Sequence, residues 1–208
     1  PGIPYGIDIA ILSDPETVLP FCILDGTLIT AMRTSAVAGV FAKYTAPKNT
    51  ETVTLVGAGV IGRTMIMAVC ESLPAVKKIY LCDMNLAKAK ALAADYKDVY
   101  SVEIVPTGDA RTAALDSQVV ITETTASSPF IDKSWIKKGM TVINMGSYEA
   151  DLDVVSSSDV IAVDYWDQII TYETKAAAKL YKAGKLTREN VVELSDMVLG
   201  KWTGRKET

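Results

Sequence analysis

The sequence contains no histidine, which removes the commonest general base, the commonest metal ligand and every Ser-His or Cys-His pairing. Proton transfer must rest on carboxylate, lysine, tyrosine or water, and no metal site is expected. Cysteine is scarce: Cys22, Cys70 and Cys82 form no Cys-x-x-Cys pair and stand among apolar neighbours. Buried reduced thiols in a cytoplasmic protein are expected, not a disulfide framework. No apolar run in the chain approaches the roughly 18 to 20 residues that span a bilayer, and no signal-peptide pattern opens it. An excess of positive charge is also lacking, since 21 basic against 25 acidic residues give a formal charge of −4 with no basic stripe. That argues against nucleic acid or an anionic membrane as partner and leaves a small anionic or zwitterionic ligand open.

What the chain does have is a large apolar fraction. With 49% hydrophobic and 22% charged residues it can bury a core, which excludes intrinsic disorder. Its 208 residues sit near the upper size of one hydrophobic core, so one domain plus part of a second is expected. The chain opens at Pro1 rather than Met, as a fragment or a processed chain would.

Period and punctuation divide the chain. Residues 7–12 and 20–24 read as short strands around Ser13-Asp14-Pro15, and residues 27–44 as a helix stopped by Pro47. Strands are then expected at 52–56, 78–82, 101–105, 118–122, 140–144 and 159–163, with helices between them, notably 63–73 and 86–96. From Trp166 onward the chain reads as helices broken at Gly184 and Gly200. Alternating strand and helix implies parallel strands joined by right-handed crossovers, an α/β doubly wound (Rossmann-type) sheet covered by helices on both faces.

Gly57-Ala58-Gly59-Val60-Ile61-Gly62 lies between a five-residue apolar strand and a helix, and Asp83 closes the next strand. In that context each residue has a physical task. Gly57 permits a tight turn, Gly59 lets backbone amides approach a pyrophosphate, and Gly62 lets the helix pack closely on the strand. The helix N-terminus adds partial positive charge. Asp83 is placed to accept hydrogen bonds from ribose hydroxyls, and its charge, with no basic residue at Met84 or Asn85, favours NAD(H) over NADP(H).

In the helix from Thr27, Arg33 shares an apolar stripe with Ile29, Ala36, Val37 and Val40. A guanidinium on a buried face is costly unless a matched anion meets it, so Arg33 is a candidate for binding a substrate carboxylate, with Thr34 beside it. The alternative is that Arg33 snorkels to water or pairs with an internal acid. In a doubly wound sheet ligands bind beyond the carboxyl ends of the strands. There the chain offers the hydroxyl-rich run Thr122 to Ser128 and the loop Gly146 to Asp151. Glu149, Asp151 and Asp153 are its candidate acids and bases; the plain alternative is that all three are solvated.

Leu24-Asp25-Gly26-Thr27-Leu28-Ile29-Thr30-Ala31-Met32-Arg33-Thr34-Ser35-Ala36, the glycine turn, and Gly200 with Gly204-Arg205 together resemble the ornithine cyclodeaminase/mu-crystallin family. The resemblance runs in order along essentially the whole chain. It implies NAD or NADP binding and chemistry on amino acids through imines: cyclodeamination, oxidation, or imine reduction. It also implies that Arg33 holds the substrate carboxylate and that Thr34 and Thr122 lie on the cofactor side. Val60 and Ile61 would meet the pyrophosphate through their backbone, Asp83 would bind the ribose, and Gly146 and Ser147 would line the cofactor. Residues 1–32 would be the remnant of a substrate and dimerisation lobe, and 33–208 the dinucleotide domain of a homodimer.

One departure matters. Ornithine-cyclising members carry an aspartate where this sequence has Ser147. The expectation is therefore an NAD(H)-dependent enzyme acting on the C–N bond of an L-amino acid, with Glu149 or Asp151 as its acid, and with ornithine cyclisation less favoured than oxidation, imine reduction or an opine-type condensation. The alternative is a dinucleotide-binding protein without turnover, a store, sensor or structural protein.

Overall fold

A computed structural model describes residues 6–205. The chain begins with an antiparallel hairpin of β1 (Ile9–Ser13) and β2 (Pro20–Asp25). Helix α1 (Thr27–Thr45) follows. The Asp25 carboxylate accepts the Thr27 N–H at 2.7 Å at its start, and Pro47 lies just past its end. Then come β3 (Thr52–Val56), α2 (Val60–Ser72), β4 (Lys78–Cys82), α3 (Leu86–Asp95), β5 (Glu103–Thr107), α4 (Ala110–Leu115), β6 (Val119–Thr122), β7 (Thr141–Asn144) and α5 (Leu152–Ser156). The last elements are β8 (Ile161–Val163), α6 (Trp166–Ile169), α7 (Ala176–Lys182), β9 (Val191–Glu193) and α8 (Leu194–Val198).

Five strands form one parallel sheet in the order β5-β4-β3-β6-β7. The direction of winding reverses between β3 and β6, which opens a crevice at their carboxyl ends. Because both faces are covered, the central strands carry near-continuous apolar runs. Val53, Leu55, Ile79, Leu81, Val119 and Ile121 turn one way and pack with Met65, Ile66 and Val69 of α2 and Leu92 of α3. Their neighbours Val56, Val120 and Cys82 turn the other way, to Ala113 and Ala114 of α4.

The expected parallel sheet is present, with two differences in its margins. The third strand begins two residues later than expected, at Glu103. The segment near 159–163 does not extend the main sheet: β8 pairs with β9 in a separate two-stranded sheet over its own small core of Val163, Trp166, Leu180, Leu186 and Val191. Strand β9 lies in the stretch read as helical. Three residues are too few to carry a period, and their partner is distant in sequence. Gly184 and Gly200 both have positive φ just past α7 and α8, as the helix breaks required.

Helix α1 is apolar on two faces. Ala31, Ser35, Ala38, Gly39 and Ala42 form the buried one, and their small size lets α1 lie close on α2. A Cβ on Gly39 would come within 3.2 Å of the Ala68 carbonyl oxygen. Ser35 Oγ and Thr64 Oγ1 satisfy each other across this seam at 2.7 Å. The second face carries Leu28, Ile29 and Met32, which stay exposed along with Ile9, Ile11, Phe21 and Ile23 of the hairpin. Arg33 belongs to this uncovered side and is exposed, contrary to the buried placement expected for it. The stripe that suggested burial is divided: Val37 and Val40 are half-buried, while Ile29 and Ala36 stay exposed. Among the cysteines only Cys82 is fully buried; Cys22 and Cys70 are half-buried, and all three are free. Burial pushes the Cys70 and Cys82 thiols up to about 11 and about 12, which keeps both protonated.

Ala38 is wholly buried at the α1–α2 seam. Ala38→Leu is expected to force the two helices apart and lower stability by about 1–3 kcal/mol. The readout is the denaturation midpoint, which stays unchanged if the seam is looser than described.

Candidate functional site

The glycine turn leads from β3 into α2 at the crevice. Gly57 has φ +124°, and a Cβ there would lie 2.2 Å from the Glu123 carbonyl oxygen. A Cβ on Gly62 would lie 2.2 Å from the Gly57 carbonyl oxygen. Both contacts are with backbone, which cannot swing aside. Gly59 differs: no atom lies within 4 Å of a Cβ placed there. It is the N-cap of α2, without a side-chain cap, so amides of the first helical turn face that open space. Val60 is exposed and Ile61 half-buried. This is a cradle for an anion approached by backbone.

Asp83 stands beside the turn at the end of β4. Its Oδ2 accepts the Ala58 N–H at 2.9 Å and its Oδ1 accepts the Asn85 N–H at 2.8 Å. Those bonds fix the carboxylate next to the cradle, where each oxygen keeps further acceptor capacity.

The loop after β7 is tied to the end of β6 by Glu149. Glu149 is fully buried. Its Oε2 accepts from Thr122 Oγ1 at 2.8 Å and the Gly146 N–H at 2.9 Å; its Oε1 accepts from the Thr124 N–H at 2.6 Å and Thr124 Oγ1 at 2.5 Å. Gly146 must lack a side chain, because a Cβ there would sit 2.4 Å from the Glu149 carboxylate. Lys175 reaches the same loop from the N-cap of α7, with Nζ donating to the Gly146 carbonyl at 2.5 Å. Burial pulls its pKa below the usual lysine range, against the charges of Asp164 and Glu149.

This geometry revises two expectations. Glu149 is neither a solvated loop acid nor a free proton donor, because four donors saturate a carboxylate that water does not reach. The Thr122 hydroxyl is fully buried and committed to Glu149, so its side chain holds the loop instead of facing the crevice. Asp151 sits at the N-cap of α5, its N–H bonded to the Ile131 carbonyl, and Asp153 is exposed on α5. Ser147 is exposed at the loop tip, and Thr34 is half-buried on α1.

Sequence alone did not single out Glu123. It is the first residue after β6, its N–H bonded to the Val56 carbonyl at 2.9 Å. Burial and the nearby Glu149 push its carboxyl up to about 7, while the Arg33 guanidinium acts against them. Its position at the carboxyl end of a central strand was the available signal. The glycine turn, Asp83, the 122–124 segment, the 144–149 loop and Arg33 thus converge on one edge of the sheet.

The profile of the ornithine cyclodeaminase/mu-crystallin family matches residues 1–208. The chain belongs to that family. N-((2S)-2-amino-2-carboxyethyl)-L-glutamate dehydrogenase of Staphylococcus aureus is 31% identical over 202 residues, covering 96% of this chain and 60% of that protein. The Thermococcus litoralis Delta(1)-pyrroline-2-carboxylate reductase, solved with NADH and L-proline, is 31% identical with a TM-score of 0.86 over 99% of this chain and 65% of its own. An archaeal alanine dehydrogenase dimer solved with NAD shares the fold at a TM-score of 0.82 and 21% identity, over 99% of this chain and 64% of its own. The chain therefore spans about 60% of the length of these family members.

Gly59 and Gly62 differ in what a side chain would meet. Gly62→Ala is expected to destabilise the protein by about 1–3 kcal/mol, because its Cβ meets fixed backbone. Gly59→Ala should leave the melting temperature within about 1 °C and weaken binding of a dinucleotide by about tenfold or more. Parallel melting and titration series check this; equal melting losses in both variants would contradict it.

Proposed function

We propose that the protein is an NAD(H)-dependent enzyme acting on the C–N bond of an L-amino acid through an imine, in the direction of imine reduction or amino-acid oxidation. The observation that carries the reading is the open, backbone-lined cradle at Gly59 with the Asp83 carboxylate fixed beside it. The residues fit a nicotinamide dinucleotide. The amides at the start of α2 would meet the pyrophosphate, Asp83 the ribose hydroxyls, and the exposed Ser147 and the Gly146 loop the far end. When bound, that cofactor supplies or removes hydride.

The chain's own residues do the rest. Arg33, exposed on α1 yet close enough to act on Glu123, would take the substrate carboxylate by charge-assisted hydrogen bonds, which turns the α carbon toward the crevice. Lys175 and Glu149 would hold the 144–149 loop rigid from either side. With Ser147 where cyclising members carry an aspartate, and Glu149 saturated, ornithine cyclisation is the less favoured outcome. The exposed apolar hairpin and the outer face of α1 would be covered by a substrate lobe in a homodimer; residues 1–32 would belong to that lobe. We place the protein in the cytoplasm, where free thiols persist.

Two measurements on the full-length protein test this reading. NADH is expected to bind at least ~10-fold more tightly than NADPH, because Asp83 repels a 2′-phosphate; equal or reversed affinities by fluorescence titration would count against it. Arg33→Ala should weaken binding of an amino acid or 2-oxo acid by about tenfold or more while NADH affinity holds, as befits a charge-assisted contact of about 1.5–3 kcal/mol. Loss of NADH binding in that variant would make Arg33 a phosphate ligand.

A further inference from the structure

Among the described residues, Glu123 Oε2 is the buried side-chain oxygen left without a hydrogen-bond partner. Buried polar atoms are nearly always paired, so an orphan calls for an explanation. The four donors that would satisfy a carboxylate at this end of the sheet are already spent on Glu149. Glu123 thus faces burial and a neighbouring anion with only Arg33, reaching across from α1, to favour its charged form. With a pKa of about 7 it stands near equal populations of acid and carboxylate at neutral pH.

Its place in the fold matters as much. Glu123 is at the crossing of β6 and the glycine turn, where its carbonyl oxygen abuts Gly57. Two other carboxylates of the site are occupied: Asp83 braces the Ala58 and Asn85 amides, and Glu149 is saturated.

We propose that Glu123 exchanges a proton with the nitrogen of the substrate's C–N bond; this rests on the imine reading above. In the reductive direction the O–H bond of protonated Glu123 breaks and the nitrogen lone pair of the imine takes the proton. A neutral imine and a carboxylic acid become an iminium and a carboxylate, and the iminium carbon is then ready for hydride from a reduced nicotinamide dinucleotide. In the oxidative direction the carboxylate accepts a proton from the substrate ammonium. An α-amino acid would then be read at two points: its carboxylate by Arg33 and its nitrogen by Glu123.

The test compares the full-length protein with Glu123→Gln, which keeps size and shape, and with Glu123→Asp. For NADH-dependent reduction of a cyclic imine, kcat/KM of the unmodified protein should fall on the alkaline side with an apparent pKa near 7. Glu123→Gln should lose about 10²- to 10⁴-fold at pH 6 and lose that alkaline limb, and Glu123→Asp should recover part of both. Carbon-13 NMR of the Glu123 carboxyl in the ligand-free protein, assigned by its absence in the Gln variant, should titrate near pH 7. A Gln variant with unchanged rate and pH limb, or a carboxyl titrating at an ordinary value of about 4–5, overturns the assignment while the imine reading stands. An unmodified protein that reduces no imine overturns both.

Discussion

The site depends on two close backbone approaches at the start of α2. Gly57 lies against the Glu123 carbonyl and Gly62 against the Gly57 carbonyl, each with room for hydrogen only. Together they press the first turn of α2 down between β3 and β6, so the crevice at the switch of winding direction is floored by backbone amides. A side chain at either position would lift the helix and withdraw those amides. At Gly59 the same turn leaves space, and Asp83 locks its register through Ala58. Of three glycines within six residues, two are thus fixed by close backbone contact and one faces open space.

The second ordering element is the contrast between two glutamates at the end of β6 and the loop after β7. Glu149 is fully buried with four hydrogen-bond donors, which fasten β6 to the loop. Glu123 is close enough for the two charges to interact and has one buried oxygen with no donor. One residue type therefore serves as a saturated tie between two segments and as a carboxyl pushed up to about 7, and the allocation of donors makes the difference.

How much of this was readable beforehand follows from how local each feature is. The glycine turn and Asp83 are set by residues within one strand-turn-helix-strand unit, and their roles in packing match the spacing. The order of elements through β7 is equally legible, since apolar periods of two and 3.6 are local properties, whereas the three-residue β9 is too short to carry one. On sequence Glu149 is a candidate acid or base with solvation as the alternative; its burial comes with partners at Thr122 and Thr124, at the end of another strand, which no local window contains. Arg33 follows a related rule: the small-residue face of α1 is its fully buried one, and Arg33 is exposed, the alternative that the stripe left open. Glu123 owes its character to groups from α1 and the β7 loop at once, so no window of sequence contains the cause.

We propose that a nicotinamide dinucleotide sits at the carboxyl edge between β3 and β6. Amide hydrogen exchange with and without NADH tests it most directly. Binding there should slow exchange at residues 58–62 and along the 145–149 loop, while the α7 to α8 region keeps its ligand-free rates. Protection confined to elements away from that edge, or none at saturating NADH, would contradict it.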